Sequence, residues 1–289
     1  MTSSINHILF PTDFSKNANR ALPFAAEIAH RSGAKLTLFH SSQESMDMLP
    51  SFEGSRDKTI QDTSDLFQRL IGNLSKKEAY AELDISTILQ SGQPTTSLIS
   101  RIKEEQPDLV VMGTKGVTGD RNNIFGSVTS SVIKNSESPV LAIPNGSTLE
   151  QLSKITFSTD YKSGDLGALK QTIAFGKLFN ASVDVLHVTD HRDLESEIKF
   201  RGFRELVKEQ IAYPDISFNL KYEYDFFPGA ADFLIEHPNS MLVMVRYKKT
   251  FWEKLTNRNH SKEMAFYSKV PLLVYEASKV KEDELTSVK

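Results

Sequence analysis

Short, dominantly apolar runs at residues 8–11, 36–40, 109–112 and 139–143 divide the first half of the chain. Runs of this kind without alternation mark parallel strands covered on both faces. Residues 83–89 alternate instead and predict another strand. Between these runs the apolar positions recur at helical spacing. One helix covers residues 18–31, starting near 16–19 because Pro23 is tolerated early in a helix and is awkward deeper in it; Gly33 ends it. A second covers about 58–76, with Ile60, Leu66, Phe67, Leu70, Ile71 and Leu74 on one side. A third covers 95–104 after the turn Gly92-Gln-Pro94, and a short one opens at Gly126. Residues 41–56 mix Ser, Met, Pro and Gly without a period and read as a loop. The order βαβαβαβαβ predicts a mostly parallel sheet with helices on both faces.

The same pattern then restarts. Lys154-Ile-Thr-Phe-Ser158-Thr159-Asp160 echoes His7-Ile-Leu-Phe-Pro11-Thr12-Asp13 at an offset of 160 − 13 = 147, and Val183-Asp-Val-Leu-His187 matches Leu36-Thr-Leu-Phe-His40 at the same offset. Later, Met241-Leu-Val-Met244 matches Leu109-Val-Val-Met112 at 241 − 109 = 132. The difference is about the length of the 41–56 stretch. A period this long argues for a tandem pair of domains rather than a solenoid. The expected fold class is therefore α/β, two tandem open, mostly parallel five-stranded sheets. The expected domains are 1–147 and 152–278, followed by a charged tail, 279–289, that frays.

Composition narrows the chemistry. At 39% hydrophobic and 25% charged residues the chain can bury a sizeable core, and a net charge of −3 with both signs intermingled advertises neither a nucleic-acid surface nor an anionic membrane partner. With no cysteine, disulfides, thiolate catalysis and Cys-based metal sites are excluded. The first residues lack a basic stretch before an apolar core, and no apolar run is long enough to span a bilayer, so a cytoplasmic location is expected.

The candidate chemistry lies where the predicted strand at 109–112 ends. Gly113, Gly116 and Gly126 punctuate a polar loop, and Ser127 stands at the first turn of the following helix, where unpaired N–H groups and the helix dipole attract an anion. Such a loop either cradles phosphate or merely turns the chain. The spacing Gly113-x2-Gly116-x9-Gly126-Ser127 resembles the nucleotide-binding signature of the ATP-binding universal stress proteins. The resemblance implies a Rossmann-like fold and an adenine nucleotide, ATP or AMP, held by Gly113, Gly116, Gly126 and Ser127; Mg²⁺ is an optional companion of the phosphates, which usually hold it with few protein ligands. It also implies that the end of the first strand, Pro11-Thr12-Asp13, lies against the nucleoside, although Asp13 is equally suited to cap the next helix. By the same resemblance the backbone of Ser41 meets the adenine edge, and Met112 and Val128 wall the base or ribose. Lys115 is a phosphate partner or an ordinary exposed lysine. The resemblance further implies that the two copies pack as an intramolecular pseudo-dimer through strands near 140–143 and 272–275, with further homo-oligomers left open.

In the second copy the positions of Gly113, Gly116, Gly126 and Ser127 fall on Val245, Lys248, Arg258 and Asn259. Side chains there obstruct close approach, so that copy is not expected to hold ATP in the same manner. Its loop is basic through Arg246, Lys248, Lys249, Lys254 and Arg258 and either attracts another anion or has its old site filled by Tyr247, Phe251 and Trp252. His40 and His187 occupy matching strand ends, which points to packing or hydrogen bonding rather than catalysis. The sequence contains no P-loop and no assignable arginine finger. The leading expectation is a nucleotide-responsive binding module acting on an unknown protein partner, in which ligand orders the 113–125 loop. The alternatives are slow ATP hydrolysis or adenylyl transfer, and a nucleotide-independent scaffold.

Overall fold

The computed structural model describes residues 4–42, 53–114, 125–145, 147, 152–238, 240–247 and 269–280. The chain forms two compact units, Ile5–Gly146 and one built on Ser147–Lys289. In the amino-terminal unit the elements are β1 (His7–Pro11), α1 (Lys16–Ser32), β2 (Lys35–Ser42), α2 (Glu53–Leu74), β3 (Ile85–Ser91), α3 (Pro94–Glu105), β4 (Leu109–Gly113), α4 (Ser127–Asn135) and β5 (Val140–Ile143). The strands lie in the order β3-β2-β1-β4-β5, and every neighbouring pair is parallel. The chain runs outward in opposite directions from β1 and β4. Their carboxyl ends therefore flank a topological switch point, the place where open α/β sheets take ligands.

The sequence pattern accounts for these elements. Leu109, Val110, Val111 and Met112 are all buried, as expected for an interior strand covered on both faces. β3, at the sheet edge, is half-exposed along most of its length. Helix α1 buries Ala21, Leu22, Ala25, Ile28 and Ala29, positions that share one face at helical spacing. Gly33 closes it at φ 72°, a left-handed conformation that a Cβ would oppose. Pro23 lies inside α1 but on its exposed side, where the carbonyl it deprives, that of exposed Asn19, is open to water. Ser15 caps the helix by accepting from the Ala18 N–H at 3.2 Å. Ser15→Ala should destabilise this unit by about 1 kcal/mol in urea unfolding; an unchanged midpoint would show that the cap bond contributes nothing.

Two boundaries differ from the periodicity. Helix α2 begins at Glu53, five residues before the expected start. Polar first turns add no apolar stripe and so leave no period to read. Strand β3 is shifted to Ile85–Ser91 because its register is set by pairing with β2, Leu36 opposite Ile85 and Ser42 opposite Ser91.

The carboxy-terminal unit contains β6 (Lys154–Ser158), α5 (Asp165–Phe179), β7 (Ser182–Thr189), α6 (Leu194–Gln210), β8 (Ile216–Tyr222), α7 (Phe226–Glu236), β9 (Ser240–Arg246), β10 (Leu272–Glu276) and a short α8 (Ala277–Val280). Its parallel strand order is β10-β9-β6-β7-β8. The registers repeat those of the first unit. Ile8 opposite Leu109 becomes Ile155 opposite Met241, and Val110 opposite Val140 becomes Leu242 opposite Leu272. Leu36 opposite Ile85 becomes Val183 opposite Ile216, so the offset falls from 183 − 36 = 147 to 216 − 85 = 131 between the second and third strands. The shortening therefore lies where the sequence lacked periodicity. The expected tail begins later than residue 279: Lys279 and Val280 belong to α8 and Val280 is buried, because its apolar side chain packs against the α5 end of the unit, near Gly164. The remainder of that tail, 281–289, lies outside the described residues.

Candidate functional site

At the end of β1 the chain makes a compact turn. The Thr12 N–H donates to the Phe39 carbonyl at 2.8 Å, and the Thr12 hydroxyl accepts from the Phe14 N–H at 2.9 Å. Asp13 is exposed, and its Oδ1 accepts from the Ser15 N–H at 3.0 Å. The cap of α1 is thus Ser15, and Asp13 closes the turn before it. Phe14 adopts φ 58° and rests on His40, with ring centroids 4.7 Å apart, while His40 Nδ1 lies 2.7 Å from the Thr12 carbonyl. His40 therefore holds the β1 turn to the end of β2, a structural bond rather than a catalytic one.

The end of β4 is joined to the start of α4. Thr129 Oγ1 donates to the Gly113 carbonyl at 2.9 Å, and the Gly126 N–H donates to the Thr114 carbonyl at 2.7 Å. Gly126 is the N-cap of α4, with φ −67°, and provides no side-chain bond to the helix. The first-turn amides of α4 therefore receive no side-chain acceptor from their cap residue, and the helix dipole favours an anion there.

Gly113 has a reason that the sequence did not disclose. Its backbone is not left-handed, and a Cβ at this position would lie 3.2 Å from the Asn17 carbonyl oxygen and 3.7 Å from Ala18 Cα. Close approach is indeed required here, but by the first turn of α1 against β4. Gly113→Val should cost the amino-terminal unit about 1–3 kcal/mol by overpacking, read from its urea midpoint; a neutral effect would mean that α1 is free to shift.

The structure brings Pro11, Thr12 and Asp13, Ser41, Met112 and Gly113 to the carboxyl ends of β1, β2 and β4, and Gly126, Ser127 and Val128 to the start of α4. Thr12, Ser41 and Met112 are buried, Val128 is half-buried, and Asp13 and Ser127 are exposed. Lys115 and Gly116 lie outside the described residues. This donor set fits an anionic group beside α4.

The carboxy-terminal unit keeps the turn and fills the crevice. The Tyr161 N–H donates to Thr159 Oγ1, Tyr161 has φ 58° and rests on His187 at 4.3 Å, and His187 Nδ1 lies 2.7 Å from the Thr159 carbonyl. Asp160 does not cap a helix here; it pairs with Lys162 Nζ at 2.5 Å, because α5 starts only at Asp165. Asp165 is 1% exposed. Its Oδ2 accepts from Thr159 Oγ1 at 2.7 Å and from the Asp160 and Lys162 N–H groups at 3.0 and 3.1 Å. Its Oδ1 accepts from the Tyr247 hydroxyl at 2.6 Å. Tyr247 follows β9, so its bond crosses from β9 to the start of α5. Burial, then the bond to Asp165 and that carboxylate's charge, push the Tyr247 phenol far above its ordinary range. Gly164 makes the room: a Cβ there would meet the Tyr247 oxygen at 3.0 Å. Neither Asp165 nor Gly164 belongs to a recognisable motif; the one sequence signal was their joint departure from Ala18 and Asn17 at the 147 offset. Of the residues read from sequence, Val245 and Arg246 are described, and Arg246 is the buried last residue of β9 rather than part of a basic loop; Lys248, Lys249, Lys254, Arg258, Asn259, Phe251 and Trp252 lie outside the described residues.

The universal stress protein family model matches residues 4–144. A universal stress protein of Methanocaldococcus jannaschii is 29% identical over 136 residues, 47% of this chain and 80% of that protein. Universal stress protein YxiE of Bacillus subtilis is 26% identical over 145 residues, 48% of this chain and 98% of that protein. Over nearly the whole length, a universal stress protein from Archaeoglobus fulgidus shares the fold with a TM-score of 0.70, covering 95% of this chain and 97% of that one at 17% identity. No helix among the described residues is long and apolar enough to cross a membrane. Residues 4–144 thus match the universal stress protein family, and the second unit repeats the fold of the first.

Proposed function

We propose that the amino-terminal unit binds one adenine nucleotide, ATP, ADP or AMP, and that the chain acts as a nucleotide-responsive binding module for a protein partner. The observation that supports this most is the meeting of the described motif residues at the switch point, beside the start of α4, whose cap residue offers its amides no side-chain acceptor. On this reading the α4 amides and Ser127 bind phosphate, and Thr12, Asp13 and the Ser41 backbone orient the nucleoside. Mg²⁺ would be held mainly by the phosphates, since it keeps several waters and needs few protein ligands. A bound nucleotide then acts on the partner surface through the 113–126 connection.

The test is mass spectrometry of the small molecule released from the purified chain, followed by calorimetric titration with ATP and AMP. Gly126→Val, which adds bulk beside the first-turn amides, should weaken binding at least about tenfold, near 1.4 kcal/mol. Finding no resident nucleotide and no binding heat with either ligand would overturn the proposal.

A further inference from the structure

We propose that the carboxy-terminal unit carries its own anion: the Asp165 carboxylate takes the donors of the turn after β6, where an external anion would otherwise bind, and Tyr247 locks it there. The argument does not depend on nucleotide binding by the first unit. A turn that presents successive backbone N–H groups beside a helix start is an anion-binding concavity. In this unit those donors already converge on one carboxylate, with the Thr159 hydroxyl and the Asp160 and Lys162 amides on Oδ2. The opposite oxygen takes the Tyr247 hydroxyl, and Lys162 Nζ lies 4.7 Å from the Tyr247 ring centroid and 2.5 Å from Asp160.

The substitutions that build this seat come as a set. At the 147 offset, Asp165 and Gly164 stand where the first unit has Ala18 and Asn17. Ala18 has no acceptor to offer the Thr12 hydroxyl, and α1 begins two positions earlier than α5 in the shared frame. Gly164 admits the tyrosine oxygen, Tyr247 spans the crevice from β9, and Asp165 supplies the charge. An incoming phosphate would meet a buried negative charge with its donors already taken. Asp165 and Tyr247 are thus positioning residues that close the donors of this turn to external anions.

Hydrogen exchange of the full chain, resolved for the segment 159–168, tests this. In the wild type, exchange of the Asp160 and Lys162 amides should be unchanged by ATP or inorganic phosphate. In Asp165→Ala the same amides should exchange about tenfold faster, the factor of one hydrogen bond of ordinary net strength, and phosphate should slow them again. Protection at residues 183–188 reports that the unit is folded. Should alanine prevent folding, Asp165→Ser, which keeps a small polar group without charge, carries the same comparison. Slowing of these amides by ATP or phosphate in the wild type would overturn the proposal, as would an Asp165 variant whose amides exchange as before or ignore phosphate. Failure of ATP to alter exchange at residues 126–130 counts against the amino-terminal site instead and leaves this one standing.

Discussion

Asp165→Ala is expected to destabilise the carboxy-terminal unit by about 3 kcal/mol, the lower end of the cost of breaking a buried, hydrogen-bonded charge network. The substitution removes the acceptor of four donors at once, two of them hydroxyls on Thr159 and Tyr247. A buried donor left without a partner costs about 1–3 kcal/mol. The lower end applies because Asp160 and Lys162 are exposed and their amides can turn to water. Asp165 is also the first residue of α5, so its negative charge stabilises the helix dipole. Hydrogen-exchange protection at residues 183–188, in β7, gives the unit's urea midpoint separately. Tyr247→Phe removes one donor only and should cost about 1 kcal/mol. Equal losses for the two variants, or a loss below about 1 kcal/mol for Asp165→Ala, would show that the amides and Thr159 do not depend on the carboxylate.

Raising the pH from 8 to 11 should unfold the carboxy-terminal unit well before the amino-terminal one. Burial is the main reason that the phenols of Tyr161, Tyr247 and Tyr275 stand far above the ordinary tyrosine range; the charges of Asp160 and Glu197 add to it at Tyr161, and the bond to Asp165 at Tyr247. A phenol whose folded pKa is raised contributes its full stability below the unfolded value, about 10, and loses it as pH rises beyond that. The unfolded chain releases protons that the folded chain retains. Each such tyrosine removes at most about 1.4 kcal/mol per pH unit above 10. Tyr161 and Tyr247 are only half-buried, so about 2–3 kcal/mol at pH 11 is the discounted sum for the three. The amino-terminal half contains one tyrosine, Tyr80, raised by burial and by its bond to Glu27. Urea midpoints of both units at the two pH values, with tyrosinate absorbance, decide the matter. Matching losses in the two units would refute the assignment.

Much of this architecture was legible because it depends on local pattern. The unbroken apolar runs at 109–112 and 139–143 became β4 and β5, and the offsets of 147 and 132 became identical strand registers in the two units. Boundaries failed where no apolar stripe reached, as at the start of α2, or where pairing set the register, as in β3. The glycine motif pointed to the right end of the sheet. It did not disclose that Gly113 makes room for Asn17, a contact between residues 96 positions apart (113 − 17).

Order, repeat and the loss of the glycines in the second copy are properties of the sequence by itself, since hydrophobic period and missing Cβ atoms are local facts. Which residues fill the second crevice was decided only in three dimensions. Asp165 and Tyr247 are 82 positions apart, each unremarkable alone, and parallel crossovers bring them within 2.6 Å between the start of α5 and the end of β9. A buried carboxylate is stable only where donors converge on it, and that convergence arises from the packed sheet.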